Sequence, residues 1–406
     1  MAKTSDRMVK LSFCIIVKNE EKNLPACLKS VADAVDQMVV LDTGSSDRTV
    51  EIAKEWGAEV HHFEWCNDFA IARNESLKYA TGDWILVLDA DEHLNPAVIP
   101  HLQPAMAAKD VLVLNLVRHE IGATQSPYSL VSRLFRNHPQ VRFTRPYHAI
   151  IDDDVETLLQ QESHWKIANI PEIAIDHYGY EPEVIASKDK TNRARLAMER
   201  YLANHPGDPY TCSKLGALYT QMGKVKEGIE LLENALPNAN DDLVRYEFYY
   251  HLGLAYGRLQ KWKKASQYYQ KAIALEILLP LKLGAYNNLG NLLQAQGNLA
   301  DALLAYQTTI EIDPTFAIGH YNRGMTFRLL GKLDSAIAAY GKAIEHNPRY
   351  AKAYQNLGVA YLKGGNVDES LRAFAQAISL YREINPAEGD RLRVELAAMG
   401  FSVARD

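Results

Sequence analysis

The sequence predicts two architectures in one chain: an α/β domain on a mostly parallel, doubly wound sheet, then an all-α solenoid of helical hairpins. Three observations carry that prediction. Between residues 11 and 117, short apolar runs alternate with amphipathic stretches; after about residue 205 the pattern turns helical and repeats itself; and 406 residues exceed one average domain.

In the first half the expected strands are residues 11–17, 38–41, 59–63, 84–88 and 111–117, with helices over 23–34, 47–56 and 69–79. The segment Val39-Val-Leu-Asp-Thr-Gly-Ser-Ser-Asp47 reads as strand, turn at Gly44, then Ser46 or Asp47 as a helix N-cap. Asp42 therefore ends one strand. Asp89 and Asp91 end another, Trp84-Ile-Leu-Val-Leu88, and bring carboxylates to the sheet edge where parallel strands bind ligands. A hard divalent cation and a phosphate-bearing ligand suit that edge.

The second half repeats on glycine. Gly216, Gly253, Gly290, Gly324 and Gly358 are spaced by 37, 37, 34 and 34 residues. Three residues on stand Tyr219, Tyr256, Leu293, Phe327 and Tyr361; twelve on stand the small Gly228, Ala265, Ala302, Ala336 and Ser370. Tyr269, Tyr306, Tyr340 and Phe374 follow one turn later. This is the tetratricopeptide pattern, with Pro314 and Pro348 closing two repeats. A capping helix is expected after Pro386, because a solenoid needs its last apolar face covered.

Bulk properties exclude other classes. A net charge of -6 leaves no basic excess for a nucleic-acid backbone. Cys14, Cys27, Cys66 and Cys212 form no Cys-x-x-Cys pair and read as reduced packing thiols, which points to a cytoplasmic protein. The start is polar, and no apolar run approaches the ~18 residues of a membrane span.

Four motifs then agree in order and spacing: Ile15-Ile-Val-Lys-Asn-Glu-Glu21; Val40-Leu-Asp-Thr-Gly-Ser-Ser-Asp-Arg-Thr49; Phe63-Glu-Trp65 with Asp68-Phe-Ala-Ile-Ala-Arg-Asn74; and Gly82-Asp-Trp84 leading to Leu88-Asp-Ala-Asp-Glu92. Over about the first 180 residues the chain resembles family 2 nucleotide-sugar glycosyltransferases of the Rossmann-like GT-A fold. The variants are most similar to the branch with lipooligosaccharide glucosyltransferases and peptide glycosyltransferases. The resemblance implies an inverting hexosyltransferase, a uridine diphosphate sugar donor and Mg²⁺ or Mn²⁺ held by the Asp-x-Asp motif. It assigns the nucleobase to Asp42, with Val17 and Asn19 as the floor, and base or phosphates to Arg73. Asp89 lies near ribose and metal, Asp91 is the main metal ligand, and His177 is a further ligand or closes on the diphosphate. The plain alternatives are a helix cap for Asp42 and a surface ion pair for Arg73.

The base is open. Relatives carry His-Glu after an Arg-x-Phe-Arg segment; here Arg133-Leu-Phe-Arg136 is followed by Arg145-Pro-Tyr-His-Ala149, with Ala149 in place of Glu. His148 or Asp152 takes the proton, and Arg133 and Arg136 meet diphosphate, acceptor or only a rim ion pair.

Two residues before each repeat glycine stand Lys214, His251, Asn288, Asn322 and Asn356. The three asparagines resemble the ladder of protein O-linked N-acetylglucosamine transferases, which implies a protein or peptide acceptor. A glycan or lipid-linked core sugar is the alternative acceptor, and a non-catalytic scaffold the alternative class. The expected organisation is a transferase domain over 8–185, a helical linker over 186–208, five repeats over 209–385 and a capping helix and tail over 386–406.

Overall fold

The computed structural model describes residues 9–123, 125–179 and 188–401. The expected boundary at 185/186, the start of the chain through residue 8 and the last five residues of the expected tail lie outside the described residues. Contacts divide the chain into two compact units, Met1–Asn240 and Asp241–Asp406.

The first unit is built on one eight-stranded sheet of order β3-β2-β1-β4-β7-β6-β8-β5: β1 Leu11–Val17, β2 Gln37–Asp42, β3 Glu59–His62, β4 Trp84–Val87, β5 Glu92–Leu94, β6 Val111–Glu120, β7 Tyr128–Arg136 and β8 Lys166–His177. Strands β3, β2, β1 and β4 run parallel, as the βα alternation requires. Beyond β4 the sheet is mixed: β7 is antiparallel to both β4 and β6, and β5 to β8. The seven residues between β6 and β7 are too few for a crossover, so the pair closes as a hairpin.

Both sheet faces are covered, which explains the near-continuous apolar strands. On β4, Trp84 and Leu86 enter one core, with α1 (Leu24–Val31), α2 (Thr49–Glu55) and α4 (Ile99–Met106). Ile85 and Val87 enter the other, with α3 (Phe69–Leu77) and α5 (Asp152–Gln161). Two register shifts matter. Pairs Leu114↔Leu134 and Leu116↔Val131 leave one extra residue on β7, around Ser132 and Arg133. On β8, Leu116↔Ile170 is followed by Val117↔Ile173, which accommodates Pro171 without a ladder donor.

The same unit continues through the helix Lys188–Asn204 into the first hairpin, Pro209–Gln221 and Val225–Ala235. Ala194, Met198 and Leu215 form a small core there, against which Tyr147 and Tyr219 pack.

The second unit contains the hairpins Asp242–Arg258/Trp262–Ile273, Leu283–Ala295/Leu299–Ile312, Ala317–Leu329/Leu333–His346 and Ala351–Lys363/Val367–Ile384. Each repeat glycine is where a ring lies against the facing backbone. A Cβ on Gly253, Gly290 or Gly324 would stand 2.5, 2.6 or 2.7 Å from Tyr269, Tyr306 or Tyr340. Gly216 meets Leu232 in the same way in the first unit. The helix Pro386–Ala398 covers the last face with Leu392 and Leu396 on Phe374 and Ile378. Cys14, Cys27 and Cys212 are buried free thiols, and Cys66 is exposed. Among the described residues no helix is long and apolar enough to cross a membrane.

Candidate active site

The site forms at the carboxyl ends of β1, β2 and β4. At β2 the Asp42 carboxylate, almost fully buried, accepts hydrogen bonds from the Ser45 N–H at 3.0 Å and the Gly44 N–H at 3.3 Å, and His62 Nδ1 lies 3.2 Å away. Burial works to raise its pKa, but the Ser45, His62 and Gly44 hydrogen bonds prevail and lower it. Gly44 adopts φ +101°, which closes the turn. Asn19, itself at φ +57°, ties β1 to this turn: its Oδ1 accepts from Ser46 N–H at 2.8 Å and its N–H donates to Ser45 Oγ. Val17 O accepts from Thr43 N–H. Neither Ser46 nor Asp47 is the N-cap of α2: Arg48 takes that position without a side-chain cap, and Asp47, one residue earlier, accepts from the Thr49 N–H at 3.1 Å. Asp42, Val17 and Asn19 are thus brought together at the carboxyl ends of β1 and β2.

At β4, Asp89 Oδ1 pairs with Arg73 at 2.7 Å and Oδ2 with Arg133 at 3.0 Å. Desolvation opposes the charge, yet the two guanidiniums hold the Asp89 carboxyl far below the usual carboxylate range. Arg73 is buried, stacks over Phe143, and also donates to the Ala149 carbonyl at 3.1 Å. Two buried donors beside Asp89, Arg73 Nε and Arg133 Nη1, have no partner among the described residues. Arg136 lies elsewhere, donating to Val111 and Ala108 carbonyls and stacking on Trp84.

Behind Asp89 runs a buried ionic chain. Glu92, fully buried, accepts from the Asp89 N–H at 2.9 Å and pairs with Arg118 at 2.6 Å; Arg118 also pairs with Glu120. Glu120 meets His177 Nδ1, and His177 Nε2 faces Asp91 Oδ2 at 3.4 Å. Desolvation would lower the His177 pKa, but Asp91 and Glu120 raise it to about 9. Desolvation would raise Glu120, but His177 and Arg118 bring it to about 2.

Asp91 and His177 remain partly open to solvent, under Gly179. A Cβ there would stand 2.4 Å from His177 Nε2 and 3.1 Å from Asp91 Oδ2, so glycine keeps a cradle clear above them. Asp91 would offer an Mg²⁺ or Mn²⁺ ion one carboxylate oxygen, and His177 would offer Nε2 only on losing the proton that Asp91 and Glu120 hold on it, the other positions being left to phosphate and water. Among the described residues no third His, Cys, Asp or Glu joins them to complete a protein cage.

The two base candidates are linked to the Asp89 cluster through neighbouring residues. His148, exposed at φ +54°, precedes Ala149, whose carbonyl meets Arg73. Asp152, an exposed residue, accepts from Ser132 Oγ at 3.0 Å, the residue before Arg133, and desolvation of its carboxyl raises its pKa. Its neighbours in the acidic run are engaged too: Asp153 with Arg145, Asp154 with the Arg142 N–H. The asparagine series makes contacts inside the solenoid: buried Asn288 donates to Tyr250 Oη at 3.3 Å, Asn322 to Asn287 Oδ1 at 2.9 Å, and Asn356 to Tyr321 Oη at 3.1 Å. Glu92, Arg118 and Glu120 had escaped sequence reading; Glu92 alone carried a signal, as the last residue of Asp-Ala-Asp-Glu.

A βα sheet with paired acids at the end of its fourth strand, followed by helical hairpins, defines a nucleotide-sugar transferase fold joined to a repeat array. The chain carries a family 2 glycosyltransferase domain followed by tetratricopeptide repeats. The model described as glycosyl transferase family 2 matches residues 12–168, and tetratricopeptide models match segments from 246–276 to 351–384. A TPR repeat-containing protein of Synechococcus elongatus is 42% identical over 308 residues, 76% of each chain. The prophage-derived glycosyltransferase SunS of Bacillus subtilis is 30% identical over 55% of this chain and 52% of its own length, so the match spans about half of that relative. An uncharacterized glycosyltransferase of Rickettsia felis is 27% identical over 45% of this chain and 66% of its own. Among solved structures, MamA aligns with 42% of this chain and 95% of its own at 25% identity and a TM-score of 0.38.

Proposed function

We propose that this chain transfers a hexose, with inversion, from a uridine diphosphate sugar to a protein or peptide acceptor presented by the repeats. The observation that carries the reading is the open Asp91–His177 pair beside an Asp89 already neutralised by Arg73 and Arg133. Asp42, Val17 and Asn19 hold the nucleoside end. Arg73 orients Asp89 near the ribose, and its spare Nε–H and that of Arg133 Nη1 offer charge-assisted bonds to phosphate oxygens. Asp91, joined by His177 once it is deprotonated, would hold Mg²⁺ or Mn²⁺, which when bound would stabilise charge developing on the leaving diphosphate. His148 is the favoured acceptor-side base, because its loop abuts Arg73, and Asp152 is the runner-up. Asn322 and Asn356, their amides pre-oriented by neighbouring helices, contact the acceptor backbone, whereas Asn288, expected in the same ladder, is buried against Tyr250 and serves the packing of the repeats.

Calorimetry with Mn²⁺ tests the donor site: a uridine diphosphate sugar should bind, and Asp91→Ala should weaken binding at least about tenfold, the scale of losing one metal ligand or its support. Absence of binding, or binding unchanged in Asp91→Ala, overturns the enzymatic reading in favour of a scaffold. Labelled sugar appearing on lysate protein supports the protein acceptor, whereas label only on lipid-linked saccharide replaces it with a glycan.

A further inference from the structure

The loop 144–150 carries His148, and its backbone is held at two unusual points, Arg145 at φ +71° and His148 at φ +54°. Non-glycine residues persist there only when surrounding contacts over-determine them. One of those contacts comes from the first tetratricopeptide hairpin. The buried Arg145 guanidinium pairs with Asp153 at 2.6 Å and with Asp208 at 2.7 Å, lying over the rings of Tyr201 and Tyr210 at 5.7 and 5.2 Å. Asp208 in turn is the N-cap of the helix Pro209–Gln221, accepting from the Thr211 N–H at 2.7 Å. One carboxylate thus both starts the first repeat helix and grips the loop.

The next residues reinforce the grip. Pro146 O accepts from the Phe69 N–H of α3, Tyr147 packs on the Ala194, Met198 and Leu215 core, and Ala149 O accepts from Arg73, which holds Asp89. A continuous path therefore runs Asp208, Arg145, loop, Ala149, Arg73, Asp89. The compact unit boundary falls after this hairpin, at Asn240.

We propose that Asp208 is a positioning residue: through Arg145 the first tetratricopeptide hairpin sets the loop that carries His148, so this hairpin is part of the catalytic unit. The functional consequence rests on the transferase reading above; the mechanical link does not. The test uses the full chain with Asp208→Asn, Asp208→Glu and, as a control in the same contact region, Tyr219→Phe, which removes a hydrogen bond to Glu199. Hydrogen exchange at residues 144–150 reports the link, and donor hydrolysis reports its effect.

Asp208→Asn should speed exchange of the loop amides about tenfold and lower kcat about tenfold or more, with donor KM within about twofold, since misplacement of a catalytic group by an ångström costs rate and not donor affinity. Asp208→Glu should recover part of kcat, and Tyr219→Phe should change neither readout. Unchanged loop exchange in Asp208→Asn overturns the proposal whatever the enzyme does, and so does an equal response in Tyr219→Phe. A loop that responds in a chain with no donor hydrolysis upholds the tether and strikes down the transferase reading instead.

Discussion

Arg118 is the residue on which the interior of the site turns. It stands between Glu92 and Glu120, and without it two carboxylates share a region from which solvent is largely excluded. Breaking such a pair leaves uncompensated buried charge, so Arg118→Met should cost about 3–5 kcal/mol in urea unfolding. Gly179 tests the opposite quality, free space. Gly179→Ala places a methyl against His177 Nε2 and Asp91 Oδ2, and should weaken Mn²⁺-dependent donor binding at least about tenfold by calorimetry, while leaving a Mn²⁺-independent melting temperature nearly unchanged. At this scale the sequence was partly legible. Asp42, Asp89 and Asp91 could be placed because strand ends are readable from apolar runs. Arg118, Glu120 and the role of Arg133 could not, because their partners lie 26, 57 and 44 residues away and are found only when the sheet forms.

The glycines of the hairpins separate by what they face. Gly341 in the helix Leu333–His346 is exposed with open space around its Cβ direction, so Gly341→Ala should stabilise by about 0.5–1 kcal/mol through helix propensity. Gly290→Ala carries the same propensity gain but drives a methyl into Tyr306, and should destabilise by about 1–3 kcal/mol. Thermal melts of the two variants side by side check the opposite signs. The five hairpins were legible because the glycine period repeats. Strands β5, β7 and β8 were not: β5 has three residues, β8 contains Pro171 inside a bulge, and β7 holds Ser132 and Arg133 where alternation breaks. A local irregularity that serves the site is what erases the periodic signal.

Across the whole molecule, perturbed acids are unevenly distributed. Asp42, Asp89, Glu120 and Asp208 in the first unit have lowered pKa values, each despite desolvation acting to raise it, through hydrogen bonds or guanidinium partners. A carboxylate lowered on folding contributes stability fully above its unfolded pKa, about 3.9–4.3, and loses it as pH falls through the folded value. Asp152 and Asp154, raised by desolvation at one helix start, and Glu20, raised by burial, work in the other direction. Acid should therefore unfold the first unit before the second between pH ~4 and ~2. Four of the five tryptophans, Trp56, Trp65, Trp84 and Trp165, report the first unit, so their fluorescence should change at higher pH than the helical circular dichroism of the repeats. The unit boundary at Asn240 has a practical meaning for recombination. A chimera joined between residues 208 and 209 would separate Asp208 from the helix it caps, whereas one joined at 240/241 exchanges repeats as a cassette. On the function proposed above, the second cut exchanges the acceptor-binding repeats without rebuilding the chemistry, and donor hydrolysis that survives only the second join would reveal it.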